Sequence, residues 1–477
     1  MSQMLESLSS SFLAPLLIVA SLVASAHILL SKEDVRAAIG WIAVVWIAPG
    51  LGVLLYLLLG INRVRRRAQE RRRRRLGDPP GEGEGDSAAL DVLDPAADPA
   101  MVAHARLAWR LTRMPLTAGN ALSPLIDGDE AYPAMRDAIA AARHSVALST
   151  YIFQWDETGR EFAAALAAAA ARGVRTAVLV DAMGSPFVAR RLRRLGVEAR
   201  AFNMPSLDHL ALLNLRTHRK LLVADGRLAF TGGMNIRDVH RRGGRHAFSA
   251  RDVMFAVEGP VVAQLMSVFA EDWRFAGGAA LEGPDWFPED HGRPGSAVCR
   301  TVSDGPDMRF SAVAWILESI LAAARRRVVV ATPYFLPDLG LIAALSQAAL
   351  RGVAVHVLIP ERSNYRVFGW AAQAQLLPLV EHGCRVHLSP PPFDHAKLMV
   401  VDGYSAFIGS SNWDTRSFRL NFELNCEVYD RVFASRIEAI LEERLAAARA
   451  LSREDLLRRP LARRLRDRAA WLMSPYL

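Results

Sequence analysis

The sequence predicts an α/β protein made of two copies of one strand-and-helix unit, preceded by a pair of apolar helices. Three observations carry this expectation. Two long uncharged runs open the chain. Beyond about Met114, short apolar runs alternate with Ala/Leu-rich stretches, the pattern of a layered sheet flanked by helices. The order of those elements then recurs roughly 180 residues later, with a polar motif repeated at the same spacing.

Phe12 to Leu30 is 19 residues long and holds no formal charge, and Ala37 to Ile61 adds 25 more. Each is long enough for a hydrocarbon core of about 30 Å. Only Ser31-Lys32-Glu33-Asp34-Val35-Arg36 separates them, so the expectation is a two-helix transmembrane hairpin over residues 1–61. Pro49 and Gly50 interrupt the second run, which membrane helices tolerate better than soluble ones. Ala24-Ser25-Ala26 resembles a signal-peptide cleavage site, but the segment before it has no Lys or Arg, so retention of the first helix is expected.

The formal charge of +9 is a local feature. Nine Arg and one Glu lie between Asn62 and Arg75, a net of +8, which leaves the remainder near neutral. That distribution argues against a nucleic-acid partner and places this end of the second run in the cytoplasm. The run reads either as a topology signal alone or as a clamp for anionic lipids of the inner leaflet. Gly77 to Pro99 is rich in Gly, Pro, Asp and Glu without aromatic residues, so residues 62–112 are expected to be a basic juxtamembrane segment and flexible linker. Cys299, Cys384 and Cys426 are too far apart for a metal motif and odd in number, and they suggest no disulfide framework.

The two copies are assigned to residues 113–290 and 291–450. In the first, Ser145–Phe153 and Thr176–Val180 read as strands around a helix from Glu161 to Arg172. In the second, Arg327–Phe335 and Val353–Ile359 flank a helix from Leu341 to Arg351. Arg172-Gly173-Val174 and Arg351-Gly352-Val353 mark equivalent turns 179 residues apart. The tail, 451–477, mixes Leu and Trp471 with Arg, and reads equally as an interfacial amphipathic helix or a packed one.

The chemistry lies in the repeated motif. His218, Lys220 and Asp225 are followed by Gly232-Gly233-Met234-Asn235; His395, Lys397 and Asp402 by Gly409-Ser410-Ser411-Asn412. In both copies Lys follows His by two residues, Asp by seven and Asn by seventeen, and the His-to-His offset is 177. Residues i and i+2 of an extended chain share a face, so each imidazole is expected beside an ammonium group. Asp-Gly is a strong hairpin turn signal. Asp225 and Asp402, in the turns and at an odd distance, therefore read as framework or electrostatic members of the motif rather than direct proton carriers. One such match is weak; two in equivalent halves, both extended by Gly and Asn, are not explained by chance.

With its two HKD motifs the chain resembles the phospholipase D superfamily. Within it, Tyr151-Ile-Phe153, Phe230-Thr-Gly-Gly-Met-Asn-Ile236, Pro333-Tyr-Phe335, Arg416-Ser-Phe418 and Asn421-Phe-Glu-Leu-Asn425 are similar to bacterial cardiolipin synthases. The resemblance covers nearly the whole chain. It implies two phospholipase D-like α/β sandwich domains forming one active site. It also implies transfer of a phosphatidyl group between two phosphatidylglycerol molecules, giving cardiolipin and glycerol, at the bacterial inner membrane with the catalytic domains cytoplasmic.

By that resemblance His218 is the nucleophile and His395 the general acid, later the base. Lys220, Lys397, Asn235 and Asn412, with Ser410, hold the phosphate oxygens, and Asp252 and Glu423 orient the imidazoles. No cofactor is implied, and no metal, because the lysines supply the positive charge. Sequence spacing alone does not say which imidazole attacks, and Asp252 reads alternatively as a salt-bridge partner of Arg251. Gly233 stands where the second copy has Ser410, so unequal roles are expected, and Arg237-Asp-Val-His-Arg-Arg-Gly-Gly-Arg245 is unusually basic. The acceptor alcohol, water against lipid, stays open, as do a superfamily nuclease, an inactive membrane scaffold and the oligomeric state.

Overall fold

A computed structural model describes residues 2–32, 35–60, 92–93, 98–203, 215–242, 249–305 and 311–474. The arginine run, most of the linker and part of the 237–245 stretch lie outside the described residues. The described residues belong to two units, one up to residue 60 and one from 92 onward.

In the first unit a helix covers Ser2–Ser31. Its Ala14–Ser31 portion is, among the described residues, the one helical stretch long and apolar enough to cross a membrane. The second run departs from expectation, since it is not one helix. It is helical over Val35–Ile47, breaks at Ala48-Pro49-Gly50, and resumes over Leu51–Leu55 and a π-helical turn at Tyr56–Gly60. Proline lacks the N–H that would continue the ladder, and Gly50 takes φ 88°, a value that favours glycine. The pieces pack on the first helix: Trp46 Nε1 donates to Ser25 Oγ at 3.0 Å, and Lys32 Nζ to the Gly60 carbonyl at 2.6 Å.

The second unit is organised by one sheet whose strand order is symmetric about its middle. From one edge the order is Ala199–Phe202, Arg175–Asp181, Ser145–Thr150, Leu221–Ala224, Leu228–Gly232, Val253–Glu258 and Thr117–Ile126. Thr117–Ile126 pairs antiparallel with Ala297–Asp304 at the seam. The order then unwinds in reverse through Asn421–Tyr429, Ser405–Gly409, Leu398–Val401, Arg327–Ala331, Ala354–Pro360 and Arg385–Ser389. Each half holds three parallel strands joined to an antiparallel set, so the duplication in the sequence is a twofold repeat in the sheet.

Helices cover both faces. Val261–Phe275 and Arg431–Ala447 follow equivalent strands and pack into one core that crosses the seam, around Phe255, Trp273, Phe433 and Leu441. The opposite face of each half carries its own layer: Asp127–Ala141 and Glu157–Ala171 in the first, Ala312–Ala323 and Leu339–Leu350 in the second. Asp156, Ser311, Asp338 and Asp430 cap the helices they precede, each satisfying a backbone N–H of the first turn.

One segment differs from its sequence assignment. Pro99–Thr112, grouped with the linker, is a helix capped by Asp98 and packed on Ala312–Ala323 in the core of the second half. Its His104 is bonded to the buried carboxylate of Glu427. In the tail, one face of Leu461–Leu472 packs against Arg366–Gln373, with the Arg466 guanidinium 4.4 Å from the Trp370 ring centroid.

Candidate active site

Each motif forms a hairpin as expected. Leu221–Ala224 pairs with Leu228–Gly232, and Leu398–Val401 with Ser405–Gly409. The turns have φ 50° and 62° at Asp225-Gly226, and 56° and 65° at Asp402-Gly403, the two successive positive values that match strand twist. The turn carboxylates are spent on the framework. Asp225 accepts the amides of Arg143, His144 and Ser145, and Asp402 those of Arg325, Arg326 and Arg327. Each thus fixes the start of the neighbouring strand, at the turn end of the hairpin, and takes no part in the imidazole contacts.

His218 and His395 sit just before their hairpins, and each reaches across to the other half. Arg216-Thr217 pairs in parallel with Asn421-Phe422, and Phe393-Asp394 with Ala250-Arg251. The His218 amide donates to the Phe422 carbonyl at 2.9 Å, and the His395 amide to the Arg251 carbonyl at 2.8 Å. This exchange decides the carboxylate partners. His218 Nδ1 lies 3.0 Å from Glu423 of the second half, and His395 Nδ1 lies 2.7 Å from Asp252 of the first. Asp252 is fully buried, and its neighbour Arg251 pairs with Glu443 instead. Asp252 therefore belongs to the imidazole and not to a surface ion pair.

Two buried ion pairs anchor the exchanged segments. Arg219 reaches Asp272 at 2.5 Å and donates to the carbonyls of Glu423 and Asp304. Asp394 accepts from Nη1 of Arg444 through both carboxylate oxygens, at 2.8 and 2.9 Å, and its Oδ1 also takes the Ala396 amide at 3.1 Å.

The lysines fold back over their histidines. Lys397 Nζ is 3.1 Å from the His395 ring nitrogens, and both lysines donate to the carbonyl of their own histidine at 2.5 Å. Burial lowers the Lys220 ammonium to about 7 and the Lys397 ammonium to about 8. It also lowers His218 to about 4 and holds His395 well below its ordinary value, with Lys397 adding to the effect. Both rings are thus neutral near pH 7.

The carboxylates are not equivalent. Burial raises Glu423, but His218, Lys220 and the Ser410 hydroxyl outweigh it and leave the group below its usual range. Burial raises Asp252 despite the pull of Lys397 and His240. His218 and Lys220 contribute most to lowering Glu423, and the Gly233/Ser410 asymmetry adds to the difference. Ser410 Oγ donates to Glu423 at 2.5 Å and accepts the Leu424 amide at 2.9 Å, and Asn421 adds a third donor to Glu423. Ser410, expected on the phosphate, is fully engaged here. At Gly233 a Cβ would lie 2.5 Å from the Asp252 carboxylate.

Asn235 accepts the Ile152 amide through its side-chain oxygen at 3.0 Å, and like Asn412 it is buried. Aromatic rings border the imidazoles: Tyr151 at 5.4 Å from His218, Tyr334 at 6.4 Å from His395. Sequence reasoning did not single out His240, buried with its ring 6.0 Å from His395 and lowered by burial to about 3. Its place in a short basic loop after the first motif was the available signal. Among the described residues no group of three or more His, Cys, Asp or Glu is placed to hold a metal ion.

The geometry has known relatives. The family model "Cardiolipin synthase, PLD-like domain" matches residues 135–273 and 317–445, and "Phospholipase_D-nuclease N-terminal" matches 19–60. Cardiolipin synthase A of Pseudomonas fluorescens (strain SBW25) is 34% identical over 95% of this chain and 96% of its own length. Cardiolipin synthase of Geobacillus kaustophilus (strain HTA426) is 30% identical over 94% and 91%. In fold, the crystal structure of phosphatidylserine synthase from Haemophilus influenzae Rd KW20 superposes with a TM-score of 0.61, at 14% identity, over 79% of this chain and all of that one. Full-length similarity and a duplicated domain match together place the chain in the PLD-like cardiolipin synthase family.

Proposed function

We propose that the chain transfers a phosphatidyl group from one phosphatidylglycerol to a hydroxyl of a second, releasing glycerol and forming cardiolipin. The observation that carries the reading is the pair of crossed His–carboxylate contacts facing two lysines in one buried site. Two neutral imidazoles with positive charge between them suit a phosphodiester monoanion.

In the first step the free Nε2 of His218 attacks phosphorus, a P–N bond forms and the P–O bond to the headgroup glycerol breaks. His395 delivers a proton to the departing alkoxide. In the second step His395 takes the proton of the acceptor hydroxyl, whose oxygen displaces His218. Lys220 and Lys397, with the side-chain amides of Asn235 and Asn412, neutralise the non-bridging oxygens in both steps.

The assignment of roles is supported by the carboxylate asymmetry. Glu423, held by three donors, stays ionised, fixes His218 by accepting its Nδ1–H and leaves Nε2 as a lone pair. Asp252, with its raised pKa, suits a pair that takes up and returns a proton. The incoming phosphate monoanion raises the imidazole values, so His395 takes up that proton from solvent as the substrate binds and returns it to the leaving alkoxide.

The apolar N-terminal unit supports a membrane location. The nine arginines after Ile61 support a two-pass arrangement, with an interrupted second arm and the catalytic unit on the cytoplasmic face of a bacterial inner membrane. Purified protein given phosphatidylglycerol alone is expected to form cardiolipin and glycerol in equal amounts by mass spectrometry. Phosphatidic acid as the main product would mean that water is the acceptor.

A further inference from the structure

We propose that the rim of the active site is an interfacial membrane-binding surface, formed by exposed aromatic residues of both halves and by the outer face of the C-terminal helix. It rests on the reading of lipid as substrate. Its occupant is the surface of an anionic bilayer.

The strand ends locate the rim. His218 lies beyond the C-terminal end of Ser145–Thr150, and His395 beyond that of Arg327–Ala331, because each precedes a strand antiparallel to them. The next parallel strands, Arg175–Asp181 and Ala354–Pro360, end on the same side. Each is followed by a loop that delivers an aromatic residue to the first turn of a helix: Phe187 before Val188–Arg194, and Tyr365 before Arg366–Gln373. Phe187 is 75% exposed and Tyr365 60%. Phe187 also has φ 64°, an uncommon value for a bulky side chain. Both loops adjoin the rings that border the imidazoles, at Gly184 against Tyr151 and Tyr365 against Tyr334.

The C-terminal helix extends this rim. Leu461–Leu472 packs on Arg366–Gln373, the helix that Tyr365 begins. Turned at 100° per residue, Leu461, Leu465 and Leu472 fall within about 40° of one another, and they are 68%, 62% and 72% exposed. Arg464 and Arg468 border that stripe. The helix's one acid, Asp467, is buried against Arg459 and Arg466. Val188–Arg194 likewise carries Arg190, Arg191, Arg193 and Arg194 and no acid. Apolar side chains edged by guanidinium groups, on helices whose one acid is buried, match the headgroup–acyl boundary of an anionic leaflet, although Glu361 is exposed in the loop before Tyr365. The surface would let a lipid's phosphodiester enter the cleft while its acyl chains remain in the bilayer.

The test uses the full chain in proteoliposomes of phosphatidylcholine and phosphatidylglycerol. The three native cysteines are buried, so a single introduced thiol takes the label. Nitroxides at F187C, Y365C, L465C and L472C are expected to be accessible to oxygen and shielded from a polar relaxation agent. L350C, exposed at the opposite end of the strands, is expected to remain aqueous. A double change, Leu465→Glu with Leu472→Glu, is expected to lower turnover on vesicles about tenfold while activity on short-chain lipid in micelles stays within about twofold, as befits a surface contact.

All four labels in the aqueous phase would overturn the proposal. So would dipolar broadening between labelled chains with no lipid depth, which would give the face to a second copy. Lipid depth with phosphatidic acid as product would leave the docking surface standing and sink the transferase reading. Cardiolipin formed with every label aqueous would do the reverse.

Discussion

Glu423 and Asp252 hold equivalent places in the two halves and make the same contact with an imidazole, yet their donors differ: Ser410 and Asn421 serve Glu423, and the Val253 amide serves Asp252. Ser410 gives Glu423 a donor that Gly233 cannot give Asp252. Ser410→Ala is therefore expected to lower kcat about 10–100-fold, the usual effect of a group that orients a reacting side chain, with little change in KM. An unchanged kcat would detach the hydroxyl from catalysis. His218→Ala is expected to abolish a phosphatidyl adduct, whereas His395→Ala still forms one from a phosphodiester with a nitrophenolate leaving group, which needs no proton. An adduct on the His395 peptide in His218→Ala would reverse the roles.

The lysines set a pH dependence of definite sign. Their free-state values of about 7 and about 8 mean that the ammonium charge is present below those values and lost as pH rises through them. In micellar assays kcat/KM should fall from about pH 7 upward. The alkaline limb of kcat should lie higher, because the bound phosphate favours the charged form. On the acid side His218, at about 4, stays neutral until pH approaches that value. A kcat/KM that stayed flat to pH 9.5 would mean the lysines do not bind the phosphate.

At the scale of elements, the short parallel pairings across the halves hold the site together. Each motif enters its hairpin along the strand that carries its carboxylate, so the two imidazoles are set by the same contacts that join the halves. Arg444 and Asp394 anchor one of these crossings in the core. Removing one partner of such a pair leaves a buried charge uncompensated. Arg444→Met is expected to cost about 3–5 kcal/mol of stability, read from denaturant unfolding, and to lower activity by displacing His395. A change below about 1 kcal/mol would show that the pair is solvated or dispensable. The helix Pro99–Thr112 is a second such anchor, since His104 joins it to Glu427 beside the buried Arg300.

For the molecule as a whole, charge and apolar surface are distributed in keeping with work at a membrane. The excess positive charge is concentrated between Asn62 and Arg75, so a reporter fused after Arg75 is expected to be active only as a cytoplasmic marker. Activity as an export marker at that junction would rule out the two-pass arrangement. If the lysines meet the phosphate as proposed, EDTA is expected to leave turnover in detergent micelles unchanged. Loss of activity restored by Mg²⁺ would contradict the proposed chemistry.

Much of this was legible in the chain itself. The Asp-Gly turns, the spacing of His to Lys and the 177-residue repeat are governed by short-range sterics and strand alternation. They therefore predicted two hairpins, each with imidazole beside ammonium, and an α/β duplication. The capping residues Asp156 and Asp338 likewise announce their helices locally. Tertiary structure decided what depends on how one half meets the other. It gave Glu423 to His218 and Asp252 to His395, joined Ser410 to Glu423 by a hydrogen bond, and set His240 beside His395. It also decided that residues 99–112 fold as a helix into the second half's core and that one face of the tail helix packs on Arg366–Gln373. Those contacts join residues far apart in the chain, with no periodicity to betray them, and arise only once the twofold seam of the sheet sets the halves face to face.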